Sequence, residues 1–298
     1  MIPLRAFHHP GTVAEALRIL VAAEGRAAPL AGGTALIFSR PVGVEELVDL
    51  AGVGLGGIVV LGDLLQVGAT VRARDLAGCT LADALGLRLL REAAATCGSR
   101  LLQNAITVGG NLIACHPWSD LPPALLVLDG EARLRSEAGE RGLPFDELFA
   151  QPPARSLQPA ELLTGVSVRR LPPRSGAAFL KLGRTAVDYA LCNLAARIDL
   201  DDDGRCASAR IAVGALRPLP QRVPEAEAAL AGRPLDATAL AEAATRVRDG
   251  VEVSADMRAS RDYRRELAGV LARRALARAW SRARGLAEDE ATDTETSP

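Results

Sequence analysis

The sequence predicts an α+β chain in which a mixed helix-and-strand region is followed by a smaller region with its own strands and helices. Three observations carry this. Strand-length apolar runs alternate with helical periods through the first half. Pro-rich stretches, "QPPARSLQPA" at 151–160 and "PPRSG" at 172–176, interrupt the pattern, and the second marks the boundary. Beyond it, two strand-like runs flank an Asp-rich turn and two capped helices follow.

The elements follow in order. Thr12 opens a helix, and Glu15 three residues later completes a capping box. Ala14, Leu17, Ile19, Leu20 and Val21 give its buried stripe, up to Gly25. "APLAGG" is a short strand running into a glycine turn. This order, helix–strand–glycine, is the reverse of a dinucleotide-binding strand–glycine–helix unit. The run "GVGLGG" at 52–57 matches G-x-G-x-x-G, but it lies between the strand-like "ELVDL" and "IVVLGD". The fingerprint needs a helix at its last glycine to hold a pyrophosphate, so this run reads as a turn between strands. "IVVLGD" and "LQVGATV" form a hairpin, and Thr70 caps a short helix over 72–76. Residues 83–97 read as one helix with Ala84, Leu85, Leu87, Leu89, Leu90 and Ala94 on its apolar positions.

The segment "NAITVGGNLIACHPWSDLPPALLVLDGEARLR" contains a β-branched pair, a double glycine, a polar loop, a helical run over 121–128 and a strand. "ELLTGVSVRRLPP" and "GAAFLKLGR" are strands, and "DYALCNLAARIDL" and "CASARIAVGAL" are strands on either side of "DDDG". Asp236 caps a helix ending near Gly250, and Ser260 caps a long Arg-rich helix running to Arg284. Its arginines form a solvated face or an interface. The tail "LAEDEATDTETSP" is polar and acidic and is expected to be disordered. No internal repeat is found.

Composition excludes several classes. The chain has 298 residues, 49% hydrophobic and 24% charged, with a formal net charge of −1. Nothing in that balance marks a nucleic-acid partner or an acidic membrane surface. The aromatics are five Phe, two Tyr and two Trp, and no basic segment interleaves with them as single-strand binding requires. The opening "MIPLRAFHHPGTV" has no basic segment followed by an apolar run, so no signal peptide is expected. No apolar run reaches the ~18 residues of a membrane helix. Cytoplasm is the expected compartment. Cys79, Cys97, Cys115, Cys192 and Cys206 are scattered, with no C-x-x-C. They read as reduced structural thiols, and no iron–sulfur cluster or metal is expected on this chain. His8 and His9 have no partner at ligand spacing, and no catalytic triad is visible.

Two glycine pairs carry the chemistry that remains. Ala31-Gly32-Gly33-Thr34 follows a strand, and Thr107-Val108-Gly109-Gly110-Asn111 follows apolar residues. Glycines in such turns expose backbone N–H groups to a ligand, and Thr34, Thr107 and Asn111 add short polar side chains. Two such loops converging suit a pyrophosphate; each alone is equally a plain turn.

The segments "PLAGGTAL" and "TVGGNLIACHPWSDLPPALLVLDGE" resemble the FAD-binding segments of the flavoprotein (medium) subunit of molybdenum hydroxylases, the family of carbon monoxide dehydrogenase and the xanthine dehydrogenases. "ELLTGVSV", "FLKLGR" and "DYALCNLAA" continue the resemblance in order, over residues 1–285. It implies an FAD-binding domain of the PCMH/VAO type over 1–172, in two lobes of about 1–55 and 56–172. A C-terminal domain over 176–285, with a small antiparallel sheet and helices, and the tail 286–298 follow. It implies that Pro29, Leu30, Ala31, Gly32, Gly33, Thr34, Ala35 and Leu36 wrap the pyrophosphate and ribityl chain. Thr107, Gly110, Asn111 and Ile113 form the facing loop, Asp120 binds FAD from the same segment, and Leu163 and Lys181 close over the flavin. Lys181 is the chain's one lysine; a cation beside a cofactor favours a phosphate or a negatively charged flavin, and the other reading is a surface cation.

The activity implied is that of an oxidoreductase subunit that passes electrons through FAD to an external acceptor. The molybdenum cofactor is expected on a large partner subunit and 2Fe-2S clusters on a small one, in a heterotrimer or a dimer of heterotrimers. The chain departs from the family in the short loop "IFSRPVG" and in having no aromatic near Cys97. Cys97 is read as buried, and His116 as a structural or solvated loop residue or a proton donor. A self-contained flavin oxidoreductase and a non-catalytic FAD-binding module are the other readings. A nicotinamide-dependent dehydrogenase is a third, opposed by the strand after Gly57.

Overall fold

The computed structural model describes residues 4–39 and 42–286. The acidic tail from residue 287, and Arg40 and Pro41 of the "IFSRPVG" loop, lie outside the described residues.

The first sheet is small and parallel. Its three strands, Ala6–His8, Glu46–Asp49 and Ala27–Leu30, lie in that spatial order. Helix Val13–Ala22 packs on it through Val13, Ala16, Leu17 and Leu20, against Val48. Thr12 caps this helix, its hydroxyl accepting from the Glu15 amide at 3.1 Å. Glu15 reaches back to the amide of Gly11 rather than of Thr12, so the reciprocal bond falls one residue early. Replacing Thr12 with Ala leaves that helix end short of an acceptor. A loss of about 1 kcal/mol is expected, read from the denaturation midpoint, with no change in any ligand bound.

The second sheet is five-stranded and antiparallel, in the order Ile58–Leu61, Leu64–Gly68, Leu162–Arg169, Gly130–Ser136, Gly139–Pro144. The hairpin expected from "IVVLGD" and "LQVGATV" is its edge, and 52–57 is a turn before a strand. Six short helices between Gly68 and Gly130 cover one side and complete the largest apolar core.

Two helix expectations in this region are corrected. The helix after Thr70 is Ala73–Ala77, with Arg72 at its cap position and no side-chain cap bond. The single helix over 83–97 is two, Leu81–Ala84 and Arg88–Ala95. Gly86 between them has φ +74 and lies against Leu171. A left-handed residue ends a helix, and the break lets Leu85 and Leu87 of the link be buried together with Leu89 and Leu90 of the second helix.

The third sheet is four-stranded and antiparallel, in the order Gln221–Arg222, Cys206–Gly214, Cys192–Leu200, Ser175–Leu182. Helices Ala237–Gly250 and Arg261–Ala283 accompany it, capped by Asp236 and Ser260 as expected. The Arg-rich helix is not simply a solvated face. Arg264 is 2% exposed, and Arg282 reaches across to Glu92 of the preceding region and to the Ala177 carbonyl. Glu92 also accepts from the amide of Phe179 at 3.0 Å. One carboxylate thus ties helix Arg88–Ala95, strand Ser175–Leu182 and the C-terminal helix together. Among the described residues, no helix is long and apolar enough to cross a membrane.

Candidate functional site

Strand Ala27–Leu30 ends in the Ala31-Gly32-Gly33-Thr34 turn, where Gly33 takes φ +73. Gly32 is pressed against the backbone at Ala105. A Cβ there would overlap the Ala105 carbonyl, 2.7 Å from its carbon. The amides of residues 32–35 donate to no acceptor among the described residues. Half-buried N–H groups left without partners are costly unless something else accepts from them. A row of them is what a phosphate requires.

The second glycine pair does a different job. "TVGGN" opens helix Val108–Ala114 instead of forming a loop, with Thr107 as its N-cap. Its amides are already used: Val108 donates to Val71 O at 2.8 Å, Gly109 to Ala69 O at 2.8 Å, and Gly110 to Thr107 Oγ1 at 3.2 Å. The glycines serve close packing. A Cβ on Gly109 would lie 2.8 Å from the Ala69 Cβ, and one on Gly110 would lie 2.9 Å from the Thr107 hydroxyl. What this wall offers a ligand is the bare surface of Gly110 and the side chain of Asn111. The Asn111 Oδ1 is buried and has no hydrogen-bond partner among the described residues.

Between the walls lies a buried ion pair. Asp120 is 2% exposed. Its Oδ2 accepts from Lys181 Nζ at 2.8 Å and its Oδ1 from Asn193 Nδ2 at 2.7 Å. Lys181 Nζ also donates to the Thr96 carbonyl at 2.8 Å. Lys181 is therefore no surface cation. Burial raises the Asp120 pKa above the usual carboxylate value, with Lys181 and Asn193 opposing it. The neighbouring Cys97 is buried as expected. Burial first, then the Asp120 charge, push its thiol up, so it stays protonated. Burial likewise puts Cys115 at about 12.

The third wall is aromatic. His116 stacks on Trp118 with centroids 5.1 Å apart, and Trp118 meets Tyr189 at 4.5 Å. Burial lowers the His116 pKa, which favours the neutral ring. The absence of an aromatic near Cys97 holds only along the chain. In space Phe38, Trp118 and Tyr189 line the same cleft as Cys97.

The cleft measures about 530 Å³, within the ~300–1,000 Å³ of small-molecule sites. Of the residues expected from sequence, it brings together Thr34, Ala35, Gly110, Asn111, Asp120 and Lys181. Pro29 and Leu30 are strand residues that lead to the turn, and Ala31, Gly32 and Gly33 shape it. Leu36 starts the short helix Leu36–Ser39. Thr107 is spent as a cap, and Ile113 packs on the main core. Leu163 is 5% exposed on the five-stranded sheet and is absent from the cleft lining. Lining residues that were not foreseen include Phe38, Leu102, Ile106, Val187, Asp188 and Tyr189. The last two stand in "DYALCNLAA", so the segment was legible and their role was not.

The donors fit a flavin dinucleotide. Unaccepted amides at 32–35 suit the pyrophosphate, the orphaned Asn111 oxygen suits an N–H or hydroxyl donor, and the rings of Trp118 and Tyr189 suit a planar heterocycle.

Comparison with known proteins agrees. Residues 4–171 match the model of the FAD binding domain in molybdopterin dehydrogenase, and residues 177–279 match the CO dehydrogenase flavoprotein C-terminal domain. The chain is 34% identical to the 6-hydroxypseudooxynicotine dehydrogenase complex subunit alpha of Paenarthrobacter nicotinovorans, over 92% of this chain and 93% of that protein. It is 30% identical to the carbon monoxide dehydrogenase medium chain of Afipia carboxidovorans, over 93% and 97%. In three dimensions it resembles a chain of carbon monoxide dehydrogenase from Hydrogenophaga pseudoflava, with a TM-score of 0.88 and 29% identity over 95% and 99% of the two chains.

Proposed function

The chain belongs to the FAD-binding flavoprotein subunits of the molybdenum hydroxylases, and from that premise we propose how its own residues hold the cofactor and serve electron transfer. It is an oxidoreductase subunit that binds FAD, and it works within a multisubunit complex whose molybdenum and 2Fe-2S centres sit on partner chains. The amides of residues 32–35 would donate to the pyrophosphate oxygens. Asn111 and the Gly110 surface face it, and Trp118 and Tyr189 receive the flavin ring. Asp120 and Lys181 form the floor. Bound FAD supplies the two-electron store between one-electron centres and an external acceptor.

The observation that carries this is the row of unaccepted amides at 32–35, opposite an orphaned amide oxygen. The chain's contribution to the chemistry is placement. The glycine turn fixes the phosphate end, and the aromatic wall keeps water off one flank of the ring. A neutral His116 and a protonated Cys97 add neither charge nor a thiolate nucleophile beside it. We take 1–172 as the FAD-binding part and 176–285 as the C-terminal part, supported by where the two family matches begin and end. We place the protein in the cytoplasm, supported by its five unpaired thiols.

The test is the visible spectrum of the purified chain, alone and co-expressed with its large and small partners. Flavin bands near ~450 nm, released on denaturation as FAD, are expected in the complex. Asn111→Leu removes the orphaned acceptor and adds apolar bulk. We expect roughly tenfold weaker FAD retention, the worth of one buried hydrogen bond, while the melting temperature of the flavin-free chain changes little. FAD never appearing in the complex, with cofactor added, ends this reading.

A further inference from the structure

The loop before the C-terminal helix carries a charge cluster outside the expected site. Asp256 Oδ2 accepts from Arg258 Nε at 3.0 Å and from its Nη2 at 2.8 Å, a two-pronged pair. Asp256 Oδ1 accepts from the Arg258 amide at 2.8 Å and lies 2.6 Å from Arg264 Nη2. Burial works against this carboxylate, yet bonds from Arg258 and Arg264 hold it well below the usual range. The Asp256 carboxyl is therefore held in its charged form.

What the cluster touches sets it apart from an ordinary surface pair. Arg258 Nη1 donates to the Ala190 carbonyl at 3.4 Å, and the guanidinium carbon lies 5.6 Å from the Trp118 ring centroid. Arg264, buried, donates from Nη1 to the carbonyls of Leu191 and Ala215. Ala215 in turn donates its amide to Pro117 O at 2.9 Å. One side of the cluster thus holds the backbone beside Tyr189. The other holds Trp118, directly at its ring face and through the Pro117 backbone. Trp118 and Tyr189 are the two rings that meet at 4.5 Å in the cleft wall.

We propose that Arg258, locked by Asp256, is a positioning residue of the flavin site: it sets Trp118 against Tyr189 and so fixes the aromatic wall on which the flavin ring rests. This deepens the FAD reading and rests on it. Arg258 itself does not line the cleft. A cation over an indole face is directional, and Lys in its place lacks the planar fork that binds Asp256 and a carbonyl together.

The test uses the full chain with Trp280→Phe, which leaves Trp118 as its one tryptophan. Arg258→Met and Arg258→Lys are compared with that parent, and Asp256→Asn serves as a second route to the same loss. In the flavin-free chain, acrylamide quenching of Trp118 is expected to rise about twofold in Arg258→Met, because an indole face is uncovered. In the assembled complex, FAD retention is expected to fall roughly tenfold, with a changed shape of the ~450 nm band. Asp256→Asn should shift both readouts the same way, and Arg258→Lys should recover the melting temperature without recovering the band. Unchanged Trp118 quenching in Arg258→Met and Asp256→Asn overturns the proposal. So does raised quenching with FAD retention and band shape intact, which reduces Arg258 to packing. A parent complex that binds no FAD sinks the flavin reading itself, and is recognised because the parent fails before any variant is compared.

Discussion

Gly32→Ala is expected to abolish FAD binding and to lower stability by about 3 kcal/mol or more, as forced backbone displacement does. The added methyl would collide with the Ala105 carbonyl, a backbone group that cannot rotate away. Relief requires moving the turn or the 105–106 segment, and either movement redirects the amides of residues 32–35. Gly25 provides the contrast. It has φ +86 but open space around the missing Cβ. Gly25→Ala should cost only the left-handed penalty of about 1–2 kcal/mol and keep its flavin. Thermal melts and released-FAD content of both variants, purified in the complex, check the pair. Equal FAD content in Gly32→Ala and the parent would show that this close approach does not shape the site.

Lys181→Met should be nearly as damaging, for an electrostatic reason. Removing one partner of a buried pair leaves the other uncompensated, at a cost of about 3–5 kcal/mol. The pH dependence has a definite sign. Burial already raises the Asp120 pKa in the folded chain, so the native state binds that proton more tightly than the unfolded state. Such a carboxyl contributes most stability below its unfolded value and loses it as pH rises through the folded value. Without Lys181 the folded value moves higher still. The variant's melting temperature should therefore lag most at pH 8 and recover toward pH 5. Adding Asp120→Asn should flatten the profile. A deficit independent of pH between those limits would show that Asp120 is not the group carrying the loss.

Local signals were legible in the sequence. Thr12, Asp236 and Ser260 were readable as caps because a cap is decided within about four residues. The strand after Gly57 was enough to reject the "GVGLGG" fingerprint, and 52–57 is a turn. Readings that depend on tertiary contacts fared worse. "TVGGN" has Gly and β-branched residues with poor helix propensity, so nothing local announced helix Val108–Ala114. Its start is imposed by Ala69 and Val71, in the turn that follows strand Leu64–Gly68, whose carbonyls take its first amides. The aromatic wall draws on Phe38, Trp118 and Tyr189, far apart in the chain. The partnership of Asp120 with Lys181 spans 61 positions. The burial of Arg264 runs against every compositional expectation for arginine. The family resemblance named Asp120 and Lys181 and their cofactor; it gave no sign that they would grip each other.

The carboxylate of Glu92 has a consequence for inheritance. It belongs to the first part of the chain, yet it holds the Phe179 amide and Arg282 of the second. The strand so held also carries Lys181. A hybrid gene that joins 1–172 from one lineage to the remainder from another must bring matching halves of two couples, Glu92 with Arg282 and Asp120 with Lys181. Recombination at the Pro-rich junction is easy for the chain and demanding for the pairs. The two regions are expected to be transmitted as one unit, and natural hybrids should be found only where both couples survive the exchange.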